Sequence, residues 1–251
     1  LGKKMLRSFA KRTPPAVSKI NEKLRKAKKP VILGDVLIKR YNARLEFREL
    51  VEKSGIPTTN FLMGTCLTDP EMPNYLGTYF SEFKNPIAQK YLEKTDCLIA
   101  VGPIYSDINS FGFKLPYKIN SHIAIYGTHT YIEGIRYDNI KMSDVLESIC
   151  SIIEPQTTDI EKEVWGYDAS KPDKPSIDSQ YIYPRIQEFL KENDVLIAET
   201  GIIPHGVSQI KFPSNSELHT QTLWGSIGWA TPATLGACIA SPNKRVVLFT
   251  G

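Results

Sequence analysis

The chain has 251 residues, 41% of them hydrophobic, with 31 Lys and Arg against 27 Asp and Glu for a formal charge of +4. That size and apolar content fit one large or two small globular domains. The charge excess is slight, is gathered in "LGKKMLRSFAKR" and "EKLRKAKK", and shows no aromatic pattern between the charges, so neither a nucleic-acid partner nor a presequence is indicated.

No apolar run approaches the ~18 residues of a membrane helix, so no membrane partner is expected. Cys66, Cys97, Cys150 and Cys238 lie far apart without a C-x-x-C pair, which points away from zinc and from a disulfide framework. A reducing, cytoplasmic setting is expected, with Cys97 and Cys238 packed as thiols.

Residues 1–13 read as a basic arm. In "PPAVSKINEKLRKAKK" the residues Val17, Ile20 and Leu24 recur at helical spacing, and "PVILG" then reads as a buried strand ended by Gly34. "NARLEFRELVEKSG" predicts a helix with Leu45, Phe47, Leu50 and Val51 on one side and Gly55 as its C-cap. "IPTTNF" predicts a strand, and "NPIAQKYLEKT" a helix with Asn85 at the N-cap and Pro86 in the first turn. "DCLIAVG" and "SHIAIYG" follow as strands and "KMSDVLESICSII" as a closing helix.

Apolar strands alternating with helices predict a doubly wound parallel α/β domain over residues 14–153. No G-x-G-x-x-G follows any of its strands, so no dinucleotide site is indicated. Residues 154–177, rich in Pro and charge, read as a linker.

A second α/β unit occupies residues 178–251. "SIDSQYIYPRIQEFLKEN" reads as a helix, "DVLIAETG" as a strand, "IGWATPATLGACIAS" as a helix whose start falls near Pro232, and "RVVLFTG" as a strand. Two strands cannot bury both faces of a parallel sheet, so this unit is expected to be the beginning of a larger, truncated domain.

Chemistry concentrates in "LWGSIGWATPATLGA". Gly225 and Gly228 lack a Cβ and admit a ligand or a second backbone closely. Ser226, Ile227 and Gly228 lie at a loop-to-helix junction, where free N–H groups await acceptors. "AETG" places Glu199, Thr200 and Gly201 at a strand's carboxyl end, where open α/β sheets bind ligands, and the two segments are expected to line one crevice. The pattern alone also admits a packing cluster of Trp224, Ile227 and Trp229. His205 reads as an exposed loop histidine.

"DVLIAETG" followed by "LWGSIGWATPATLGACIASPNKRVVLFTG", with "AKKPVILGD", "MGTCLTDPEMPNYLGTY" and "DCLIAVGPIYSDINSFGF" upstream, resembles the thiamine-diphosphate-dependent 2-oxo acid decarboxylases of the pyruvate and indolepyruvate decarboxylase family. The resemblance covers essentially the whole chain: a central domain plus the start of a cofactor-binding domain. It implies a nonoxidative carboxy-lyase that turns a 2-oxo acid into an aldehyde and CO2, using thiamine diphosphate and Mg2+. It implies that the Gly225 carbonyl accepts from the cofactor's 4′-amino group, that the Ile227 N–H donates to its pyrimidine ring, and that the Ile227 side chain is the wedge beneath the bent cofactor.

Ser226 falls between these two contacts, Thr200 matches a cofactor-side threonine, and Ile108 and Pro204 fall at the substrate pocket. The pattern also departs from the family. Ile202 replaces a hydroxyl residue near the diphosphate, Leu37 stands where yeast relatives carry a regulatory cysteine, and the Gly-Asp-Gly metal motif would begin only at Gly251. The resemblance therefore implies a longer parent, a homodimer or homotetramer when intact, of which this chain alone is inactive and binds no metal. The alternative is a non-catalytic relative serving as an oligomerisation or interaction module.

Overall fold

A computed structural model describes residues 13–80, 85–118, 122–156, 160, 167 and 177–251. The basic arm apart from Thr13, and most of the linker, lie outside the described residues. The first unit runs α1 (Thr13–Lys26), β1 (Pro30–Gly34), α2 (Leu37–Arg40), α3 (Arg44–Ser54), β2 (Thr58–Asn60) and a 3-10 turn (Leu62–Gly64). It continues through β3 (Tyr75–Thr78), α4 (Pro86–Lys94), β4 (Cys97–Val101), β5 (Ile123–Ile125), β6 (His129–Ile132), β7 (Ile135–Asp138) and α5 (Met142–Ile152).

Its sheet has the order β3-β2-β1-β4-β5-β6-β7. β1 and β4 are buried along their whole length and pair in parallel from Pro30 opposite Cys97 to Gly34 opposite Val101. Successive side chains alternate faces, so Ile32, Cys97, Ile99 and Val101 join Ile20, Phe47, Leu50 and Val145 in one core. Val31, Leu33, Leu98 and Ala100 join Ala88 and Leu92 in another. Helices α1, α3 and α5 thus cover one face and α4 the other, the doubly wound arrangement expected from the run of apolar strands.

The details depart from the pattern in three places. Leu45 is exposed and Ala43 takes its place in the core, because Leu45 and Phe47 are two residues apart and fall on opposite sides of a helix. Ala16, rather than Val17, is the buried residue of the first turns of α1. The sheet is also not wholly parallel: β5, β6 and β7 form an antiparallel meander at one edge. Its tight β6–β7 turn is made by Glu133 and Gly134, both at positive φ (51° and 79°). Glu-Gly lacks the Asn-Gly or Asp-Gly signature that marks such turns in a sequence.

The second unit contains α6 (Ser179–Phe189), β8 (Val195–Ala198), α7 (Ile203–Val207), β9 (Glu217–Thr220), α8 (Ala230–Ala240) and β10 (Val246–Phe249). Its sheet is parallel, in the order β10-β8-β9. β9 escapes sequence reading because Glu217 and His219 interrupt its apolar character. The structure satisfies Glu217 with Lys244 Nζ at 2.7 Å and His219 Nε2 at 3.2 Å. Tyr183, Ile186 and Val207 pack on Leu196, Ala198 and Leu218 on one face, and Ala230 with Trp229, Ala233 and Ala237 on Val195 and Ile197 on the other.

Helix α8 begins at Ala230, ahead of Pro232, which sits in the first turn where its missing N–H costs no helical bond. Leu235 and Ile239 of this helix are 64% and 73% exposed, and Cys238 is exposed rather than packed as expected. Cys66, Cys97 and Cys150 are buried free thiols, and burial pushes their pKa values up, to about 12, 11 and 11.

The two sheets meet along a polar seam. Lys39 Nζ donates to Thr65 O (2.9 Å) in its own unit and to Leu218 O (3.2 Å) in the other. Ser106 Oγ donates to Thr222 O at 2.9 Å. The Phe80 ring lies 4.6 Å from the His205 ring, so His205 is partly covered on α7 rather than an exposed loop residue.

Asp35, directly after β1, is fully buried. Its Oδ2 accepts from Ile104 N and Asn109 Nδ2, both at 2.8 Å, while Oδ1 has no partner among the described residues. Burial raises its pKa to about 7, against the opposing pull of the Ile104 and Val36 N–H groups, Asn109 and Lys39. The folded chain therefore holds this proton up to about pH 7, while the unfolded chain releases it near ~3.9.

The stabilising contribution of the protonated carboxyl is full below about pH 4 and falls as pH rises to about 7, by up to ~1.4 kcal/mol per pH unit. Asp35→Asn should flatten that part of the profile. Urea unfolding of both proteins between pH 4.5 and 7.5 checks it: the stability difference should move in the variant's favour as pH rises, and a pH-independent difference would contradict it.

Candidate functional site

In the first unit the strand order reverses between β1 and β4, and the crevice outside their carboxyl ends is where doubly wound sheets place ligands. Here that crevice is filled by the chain itself. A Cβ on Gly64 would stand 2.7 Å from Gly34 O and 2.8 Å from Asp35 Cα, and one on Gly102 would stand 2.9 Å from Ile38 N. Asn109, 1% exposed, knits the loop after β4 by accepting from Met63 N (3.2 Å) and donating to Ile104 O (2.7 Å) and Asp35. The loop's role is thus to carry Ser106 and Ile108 outward to the second unit.

At the carboxyl end of β8, Glu199 and Thr200 face the segment that precedes α8. Thr200 Oγ1 donates to Ser226 O (3.1 Å) and Gln221 O (3.3 Å). Glu199 Oε2 accepts from Gly228 N and Ala230 N, both at 3.1 Å, and Oε1 accepts from Thr200 N at 2.7 Å. Gln221 Oε1 accepts from Leu223 N (2.9 Å) and Trp224 N (3.4 Å). The segment Leu223–Trp229 is therefore a loop pinned at both ends and in the middle by side chains that bond its main chain.

Gly225 and Gly228 have φ of 60° and 84°, values that side chains rarely adopt. A Cβ on Gly225 would lie 3.7 Å from Ile108 Cδ1 and 3.7 Å from Thr200 Cγ2, whereas one on Gly228 would meet nothing within 4 Å. The structure thus brings Thr200, Gly225, Ser226, Ile227 and Ile108 together, as the sequence reading expected of one crevice. Ile108 is half-buried at its edge. Pro204 is buried in the first turn of α7 and so does not stand in the open face. Ile202 is exposed beside it.

Exposure separates the two readings of the tryptophan segment. Trp224 is 78% and Ile227 83% exposed, and only Trp229 packs on the core of the second sheet. A packing cluster would have buried all three; instead a large apolar side chain stands in the open on a held loop, between two glycines. Trp224 consequently does not pack the loop. The polar holders Glu199, Gln221, Ser106 and Asn109 escaped the sequence reading as site residues, since their partners are main-chain groups that leave no mark in a sequence. The one available signal was the position of Glu199 at a strand's carboxyl end.

Among the described residues no group of three or more His, Cys, Asp or Glu could hold a metal ion, so no Mg2+ set is present among them. The open side of Gly228 and the bare Ile227 fit an organic ligand approaching the loop. Oxygen-rich metal ligation has no counterpart there.

Residues 17–140 match the family described as thiamine pyrophosphate enzyme, central domain. The chain is 32% identical over 240 residues to pyruvate decarboxylase isozyme 1 of Saccharomyces cerevisiae, covering 90% of this chain and 41% of that protein. It is 30% identical over 246 residues to pyruvate decarboxylase of Kluyveromyces lactis, covering 94% and 43%. With pyruvate decarboxylase of Aspergillus fumigatus it shares 31% over 235 residues, covering 91% and 41%. The chain therefore spans about two fifths of the length of these relatives.

Residues 17–140 are thus the central domain of a thiamine pyrophosphate enzyme. Similarity to pyruvate decarboxylases extends beyond that domain, along 90–94% of the chain.

Gly225→Ala has room for its methyl at 3.7 Å but not the backbone angle, and the left-handed conformation costs an L-residue about 1–2 kcal/mol. Gly236, inside α8 with open space around a Cβ, is the control: Gly236→Ala should stabilise by about 0.5–1 kcal/mol through helix propensity. Urea denaturation of the two variants should move in opposite directions. Equal stabilisation would show that Gly225 is under no conformational demand.

Proposed function

We propose that this chain is part of a thiamine-diphosphate- and Mg2+-dependent nonoxidative decarboxylase that converts a 2-oxo acid of the pyruvate or indolepyruvate type to an aldehyde and CO2. By itself the chain is read as inactive. Family membership supports the cofactor class, and the observation that carries the site is Ile227, bare on a loop held by Glu199 and Thr200.

Thiamine diphosphate, when bound, supplies the electron sink for loss of CO2. In this reading the Gly225 carbonyl and Ile227 N–H hold its pyrimidine. Gly225 and Gly228 let the backbone approach it closely. The Ile227 side chain fixes its bent shape, so binding energy is spent on orientation, where large rate factors are available. Thr200 spends its hydroxyl on Ser226 O and Gln221 O, and so supports the loop that presents these groups, Ser226 acting through its main chain.

Ile108, beside Gly225, and Pro204, in the first turn of α7, are proposed to belong to the substrate pocket. Mg2+ is assigned to the whole protein. The exposed Leu235 and Ile239 of α8 support a larger domain or a subunit contact over that helix, in keeping with a homodimer or homotetramer; a cytoplasmic setting is part of the same proposal.

A second reading, a non-catalytic relative serving as an oligomerisation or interaction module, draws on Ile202, an exposed apolar side chain where the family resemblance implies a hydroxyl residue near the diphosphate. Calorimetric titration of the full-length protein with thiamine diphosphate and Mg2+ separates the two. Saturable binding and CO2 release from pyruvate, phenylpyruvate or indolepyruvate support the enzyme, and no binding supports the module. If the enzyme reading holds, Ile227→Ala in the full-length protein should lower kcat by about 10²-fold. An unchanged kcat in that variant would remove Ile227 from the mechanism.

A further inference from the structure

Between its ends the loop Leu223–Trp229 has little side-chain packing; only Trp229, at its helix end, lies on the core of the second sheet. Trp224, Ser226, Ile227 and Gly228 are exposed, and Gly225 and Gly228 have no side chain to anchor. Its position depends on hydrogen bonds, and these differ in kind. Gln221 and Thr200 provide neutral bonds, while a single carboxylate oxygen of Glu199 accepts from both Gly228 N and Ala230 N. Hydrogen bonds to an ionised acceptor are roughly twice as strong as neutral ones.

Glu199 is only 6% exposed, and among the described residues it forms no ion pair. The partners of its carboxylate are the N–H groups of Thr200, Gly228 and Ala230, the last at the first residue of α8, where the helix dipole favours a negative charge. Both sides depend on this arrangement. Among the described residues the carboxylate has no other donor to satisfy it, and the N–H groups of Gly228 and Ala230 have no other acceptor.

We propose that Glu199 is the positioning residue of the wedge loop: its carboxylate fixes Gly228 relative to β8, and Gly228 fixes the place and direction of Ile227. Glu199 touches neither cofactor nor substrate in this role. It acts through the backbone by setting the distance between Thr200, at the end of its own strand, and Ile227. This rests on the thiamine diphosphate reading for its consequence in catalysis, but the restraint on the loop exists without any ligand.

The test is residue-resolved amide hydrogen exchange on the full chain without ligand, comparing wild type, Glu199→Gln and Glu199→Ala. In Glu199→Ala the amides of Gly228 and Ala230 should exchange at least tenfold faster, while Leu196 and Ile197 inside β8 stay within threefold of wild type. Glu199→Gln keeps one acceptor oxygen and should fall between, a partial rescue that general loosening of the fold would not give. Should Glu199→Ala fail to fold, the same local acceleration read in Glu199→Gln carries the test.

Unchanged exchange at Gly228 and Ala230, or equal acceleration throughout β8, overturns the proposal. In the full-length protein, Glu199→Gln should lower kcat at least tenfold with KM for the 2-oxo acid within threefold. A wild-type protein that binds no thiamine diphosphate would end the functional reading and leave the exchange result standing.

Discussion

Two sheets that share no strand are set in one relation by donors that reach from the first into main-chain carbonyls of the second. Lys39 reaches Leu218 and Ser106 reaches Thr222, so one seam bond falls within β9 and the other just beyond it. The Lys39 residue is partly exposed, yet its ammonium is enclosed well enough that burial lowers its pKa to about 8. A neutral amine still donates, so the bond to Leu218 survives deprotonation in weakened form. Without this seam Ile108 has no reason to lie beside Gly225, and the crevice at the end of β8 loses one wall.

The crevice follows from strand geometry. In each sheet one parallel strand is followed directly by a buried acidic residue, Asp35 after β1 and Glu199 after β8. In the first unit Asp35 is enclosed by its own loops and takes up a proton; in the second Glu199 is met by three backbone N–H groups. The same residue class at equivalent places thus does different work. Asp35 closes a ligand crevice by knitting Ile104 and Asn109 into it, and Glu199 ties the loop before α8 to the end of its own strand.

Much of the fold was legible because its signals are local. The burial of β1 and β4 follows from their unbroken apolar runs, and Asn85 does cap α4, its Oδ1 accepting from Ala88 N at 2.9 Å. What escaped was set by tertiary context. β9 carries Glu217 and His219, whose partners include Lys244, 27 residues on in the chain. The β6–β7 hairpin turns on Glu133 at positive φ, a conformation glutamate does not advertise. Thr200, Gly225 and Ile227 were readable as a group from spacing and family likeness, whereas the exposure of Trp224 and the holding bonds of Glu199 depend on how a strand end and a loop meet in space.

The most direct measurement is a crystal structure of the full-length protein grown with thiamine diphosphate and Mg2+. The expected density shows a bent cofactor with the Ile227 side chain against the angle between its rings, Gly225 O and Ile227 N within hydrogen-bond distance of the pyrimidine, and Glu199 still holding Gly228. An extended cofactor, one bound away from Ile227, or none at all under saturating conditions would contradict the assignment of this loop as the wedge.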